Sequence, residues 1–125
     1  MGKNSLIKKP VYGEQMCITR AKEVNGWLVE NTLSSSELTL NPLAEKALFL
    51  SLGIVRMMQQ AAGIACDTTR YNVQIVILER IKTIKENVFA VFKGKQKSFI
   101  KKELTLLEDS FMRWLKSNPV GKIKM

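Results

Sequence analysis

The residues in this sequence most able to do chemistry are the lysines of Lys93-Gly94-Lys95-Gln96-Lys97-Ser98-Phe99-Ile100-Lys101-Lys102, five cations and no acid within ten positions. Like charges this close repel one another and oppose compaction unless something neutralises them. A phosphate backbone does so through counterion release, with no demand on side-chain geometry. Lys93, Lys95, Lys97, Lys101 and Lys102 are therefore candidate nucleic-acid contacts, with Arg113, Lys116, Lys122 and Lys124 as a second basic patch. A solvated surface, an acidic protein partner and an anionic membrane are the competing readings, in that order. Phe99 lies inside the patch and could stack on a base, although burial at the end of a helical assembly is the stronger expectation.

Other chemistry is poorly supplied. The chain contains no histidine, the commonest general base and metal ligand. Cys17 and Cys66 are too far apart for a zinc-binding spacing, and each lies in an apolar stretch, so buried free thiols are expected. Phosphate-binding glycine loops and nucleophile elbows are missing. Glu108-Asp109 is the one adjacent acid pair, but neighbours on a helix point apart. No catalytic residue, metal or cofactor is expected, and the chain reads as a binding protein.

The placement of charge sharpens that reading. Of the net +9, residues 14–92 contribute nothing, because eight bases there balance eight acids. The first thirteen residues contribute +3 and residues 93–125 contribute +6. The opening Met1-Gly2-Lys3-Asn4-Ser5-Leu6 has neither a continuous apolar run nor a cleavage pattern, and Ser5 is one position short of a myristoylation signal. The most apolar stretch, Ala47 to Cys66, carries Arg56, Gln59 and Gln60 near its middle, which disfavours a membrane span. A cytoplasmic location away from membranes is expected.

Four stretches have the helical period, and none alternates as a strand would. The first, about Glu14 to Leu33, places Cys17, Ala21, Val24 and Leu28 on one face before Ser34-Ser35-Ser36 interrupts it. The second opens at Asn41-Pro42, a capping residue followed by a first-turn proline, and runs through Leu43, Ala47, Leu50, Ile54, Met57, Ala61 and Ile64. The third follows Asp67-Thr68-Thr69 with Val73, Ile77, Ile81, Ile84, Val88 and Val91. Its Val73-to-Leu78 run is rich in β-branched residues, but the stripe outlasts any strand. The fourth, about Lys97 to Ser117, carries Ile100, Leu104, Leu107, Phe111 and Leu115 until Asn118-Pro119 ends it. Short connections favour an all-α, antiparallel up-down-up-down four-helix bundle over residues 14–117, with basic tails at 1–13 and 118–125. In that arrangement the lysine patch shares an end with the serine loop, the termini lie at the other, and a neutral waist separates two positive poles.

The second stretch is apolar on more than one face, because Leu48, Phe49, Leu52, Val55 and Met58 fall off its main stripe. Such a helix must be covered nearly all round. Self-association is the favoured explanation, with Leu48, Leu52 and Val55 as interface candidates; a central position within one chain is the alternative.

The helix order, short connections, basic balance and closing segment Leu106-Leu107-Glu108-Asp109-Ser110-Phe111-Met112-Arg113-Trp114-Leu115-Lys116-Ser117 together resemble one known family. It is the accessory variability proteins of diversity-generating retroelements, relatives of proteins encoded in ribosomal RNA intervening sequences. The likeness covers about residues 14–117. Many members carry glycines just before the tryptophan, where this chain has Met112 and Arg113. The resemblance implies a homopentameric barrel that binds a reverse transcriptase and its template RNA, favours RNA over DNA, and assists mutagenic copying without catalysing it. A helical protein-interaction adaptor, or a plasmid or phage DNA-binding accessory protein, fits the same residues.

Overall fold

The computed structural model describes residues 13–124, with side-chain placement described for residues 13–121. The described residues form six helices and no strand: α1 (Glu14–Leu33), α2 (Ser36–Thr39), α3 (Pro42–Gly63), α4 (Asp67–Val91), α5 (Gly94–Ser117) and α6 (Pro119–Lys124). Four of them are long. The β-branched run of α4 is helical, as its long stripe predicts.

The helix boundaries follow local chemistry. Asn41 caps α3 as its sequence predicts: its side chain accepts from the Leu43 and Ala44 N–H groups at 2.9 and 3.3 Å, and Pro42 takes the first turn. The serine segment contributes more than a break, because Ser35 Oγ accepts from the Leu38 N–H at 3.2 Å and starts α2. The end of α3 is closed by Arg70 from α4. Its guanidinium donates to the Ile64 carbonyl at 2.9 Å and pairs with Asp67 at 2.6 Å, so this buried charge satisfies carbonyls that a helix terminus leaves open.

Packing runs α1 on α3, α3 on α4, α4 on α5 and α5 back on α1. The Gln96 amide donates to Asn31 Oδ1 at 3.0 Å, while a Cβ at Gly13 would lie 3.4 Å from the Ser110 carbonyl oxygen, so α1 and α5 run antiparallel. The core lies between the four long helices: Cys17, Ala21, Val24 and Leu28 meet Ile54, Met58, Ile77, Ile81, Ile84, Leu104, Leu107 and Phe111. The stripes expected on α1 and α5 are buried throughout.

On α3 the buried face is turned from the expected one. Ala44, Ala47, Ser51, Ile54, Val55, Met58 and Ala61 are buried, whereas Leu43 is exposed and Leu50, Met57 and Ile64 are half-buried. Apolar residues on several faces left the choice to packing, and small side chains suit a close neighbour. Ser51 uses that closeness, accepting from the Asn25 amide of α1 at 2.9 Å and donating to the Leu48 carbonyl at 2.8 Å.

Residues 118–121 do not trail away as a tail. The buried Asn118 side chain donates to the Asp67 carbonyl at 3.0 Å and to Gln74 Oε1 at 3.1 Å, and accepts from the Val120 N–H at 2.9 Å. This turn starts α6, which packs on α4 and α5. Gly121 is required by close approach, since a Cβ there would lie 2.6 Å from the Leu115 carbonyl oxygen.

Candidate nucleic-acid interface

All five lysines of the 93–102 patch are exposed, as are Arg113 and Lys116. They all belong to α5 or its cap, because α5 begins at Gly94, earlier than its apolar stripe suggests. Lys95, Lys102, Arg113 and Lys116 are separated by seven, eleven and three positions, all spacings that recur on one helix face. What the sequence divides into two patches is therefore one stripe along α5, about 32 Å long at 1.5 Å per residue. Asp109 is the acid on it. Lys122 and Lys124 lie outside the residues whose side chains are described.

Lys97 and Lys101, four apart, turn toward α4. Lys101 Nζ sits 5.9 Å from the Phe89 ring centroid, within cation–π range. Beside them Lys85 of α4 pairs with Glu108 at 2.8 Å, both partly shielded. A surface pair of this kind adds at most about 1 kcal/mol. Its larger consequence is that Glu108 is engaged by α4 and unavailable to the lysines around it. Among the described residues none of the seven exposed cations on α5 and its cap forms an ion pair. The first turn of α5 has no acidic residue, so Lys95 and Lys97 stand beside the helix's positive pole. An open depression of about 370 Å³, lined by Ser98, Lys101, Lys102, Thr105 and Leu106, lies on the same surface.

Phe99 is not buried as expected. It is 48% exposed and stacks on Trp27 of α1, with ring centroids 5.8 Å apart and planes inclined by 29°. Trp27 in turn meets the buried Phe92 at 5.0 Å. No local pattern predicts this column, because its rings come from α1, the cap of α4 and α5.

The interface candidates on α3 separate by burial. Val55 is 8% exposed and belongs to the chain's own core, because the buried face of α3 has turned toward it. Leu48 is half-buried against that core, and Leu52 is 41% exposed. Phe49, three positions before Leu52, is 67% exposed and is the large apolar residue that the interface candidates omitted. The signal for it was present in the all-round apolarity of the helix.

The two thiols part company. Cys17 is buried, and desolvation pushes its pKa up to about 12. Folding raises this pKa from 9.0, so the associated stability is complete below about pH 9 and is lost as pH climbs toward 12. Cys66 is instead exposed at the cap of α4, contrary to the expectation that both are buried. Hydrogen bonds from the Thr69 side chain and from the Thr69 and Thr68 backbone lower its pKa. A thiol reagent at pH 8 is expected to label one cysteine per native chain, Cys66, and the second only after unfolding. Mass mapping of the labelled peptide checks this; rapid native labelling of Cys17 would contradict the packing.

Among the described residues no group of three or more Cys, Asp or Glu side chains is gathered as a metal site, and no helix is long and apolar enough to cross a membrane. The segment behind the family resemblance supplies part of the core, since Leu107, Ser110, Phe111, Trp114 and Leu115 are buried. Comparison with protein-family profiles, curated proteins and solved structures finds no match for this chain.

Proposed function

We propose that this chain is a non-enzymatic accessory factor that binds nucleic acid along the basic face of α5. The observation that carries the reading is the unpaired cationic stripe of Lys95, Lys102, Arg113 and Lys116, flanked by Lys93, Lys97 and Lys101. Phosphates would neutralise it without needing a shaped pocket. The architecture proposed is an antiparallel up-down-up-down four-helix bundle, supported by the cyclic packing of the long helices and the antiparallel contacts of α1 with α5. RNA is favoured over DNA, with a reverse-transcriptase or polymerase-type partner and a role in mutagenic copying. Those three points rest on the family resemblance. A cytoplasmic homo-oligomer is proposed as well, its assembly supported by the apolar residues that α3 leaves exposed; only a pentamer rests on that likeness.

Phe49 and Leu52 favour a second reading, in which the outer face of α3 docks on another protein. Light scattering coupled to size exclusion, with and without RNA at low and high salt, separates the two. A discrete oligomer that takes up RNA only at low salt is the expected result. A monomer indifferent to RNA would overturn it and leave the adaptor reading.

A further inference from the structure

We infer that Phe99, seated on Trp27, is a stacking platform for an unpaired base, so that the basic face of α5 takes single-stranded rather than duplex nucleic acid. The inference rests on the proposed nucleic-acid reading and deepens it. Phe99 holds Lys95 four positions before it and Lys102 three positions after it, so both lysines share its helix face. Trp27 stacks against the ring, and 48% of the residue remains exposed. Below them Phe92 is buried, so the column climbs from the core to the surface. A half-exposed phenyl ring between two lysines leaves apolar area in water that a leucine of similar reach would also leave. What the ring adds is a π-face held by a second ring and bracketed by two cations.

Single strands offer what this arrangement matches: an unstacked base for the ring and flanking phosphates for the lysines. A duplex keeps its bases stacked inside and presents only its phosphates. The lysines therefore contribute to both kinds of ligand, and the ring to one.

The test measures binding of the full chain to a 20-nucleotide oligouridylate, the matching oligothymidylate and a duplex of equal length, at about 50 mM salt. Phe99→Leu keeps an apolar side chain on Trp27 but removes the π-face. Its affinity for both single strands is expected to fall about 5- to 150-fold, with duplex affinity unchanged within about twofold. Phe99→Trp is expected to retain single-strand affinity, which keeps the test valid should the leucine variant fold poorly. Tryptophan emission offers a direct readout, because Trp27 lies under the platform and the second tryptophan, Trp114, is buried. A bound base is expected to quench Trp27 in the parent chain. Equal losses for single strand and duplex, or no loss for either, would overturn the platform while leaving the basic face in place. If the parent chain binds none of the three, the nucleic-acid reading fails and the platform with it.

Discussion

Reversing two charges on α5, Lys95→Glu with Lys102→Glu, is expected to weaken RNA binding at about 50 mM salt by two orders of magnitude or more. The reason is the location of those lysines. Both are exposed, neither has an internal acidic partner, and both sit on the stripe that continues to Arg113 and Lys116. Each phosphate neutralised on a single strand contributes about 0.7 to the slope of log affinity against log salt. Losing two contacts therefore lowers the slope by about 1.4, and new repulsion reduces affinity further at low salt. The fold is expected to tolerate the change, because surface substitutions away from packed features usually shift stability by less than about 0.5 kcal/mol. Relief of repulsion near the positive pole of α5 offsets part of any loss. Fluorescence anisotropy against a salt series, with thermal melting as control, makes the measurement. Unchanged affinity in the variant would remove α5 as the binding face.

Trp114→Ala is expected to destabilise the chain by about 3–5 kcal/mol, a large share of the roughly 5–15 kcal/mol typical of a domain. Trp114 is fully buried, meets Phe111 edge-on at 5.5 Å and 80°, and stands where α5 passes the start of α1. Removing the indole leaves a cavity that the surrounding core can only partly fill. In a chain of this size the melting temperature should fall by about 10–20 °C. Trp114→Phe should cost much less, because it keeps the aromatic contact and removes a buried indole N–H that has no hydrogen-bond partner. Calorimetry on both variants tests the contrast. A Trp114→Ala chain that melts like the parent would show that this end of the helix is not held by its core.

Local rules account for much of what the sequence determines. Asn41-Pro42 specifies the start of α3, and Cys17, Ala21, Val24 and Leu28 specify the inner face of α1, because capping and a single apolar stripe leave little alternative. The inner face of α5 is equally legible, since lysines crowd one side and Ile100, Leu104, Leu107 and Phe111 the other. The exposed lysine positions follow from the same amphipathicity. That they form one stripe depends on α5 starting at Gly94 and running unbroken to Ser117.

Tertiary structure decided the rest. On α3, apolar residues on several faces made the buried face depend on which neighbours arrived, and the small Ala44, Ala47 and Ser51 turned inward while Leu43 was left outside. Asn118-Pro119 ends one helix and begins another because Gln74 and the Asp67 carbonyl, distant in sequence, bind the asparagine. The Trp27–Phe99 stack joins positions seventy-two residues apart, and Cys66 is exposed because it falls at a helix cap rather than within α3. Periodicity reports which side of a helix seeks burial, but only packing between helices decides which distant side chains meet there.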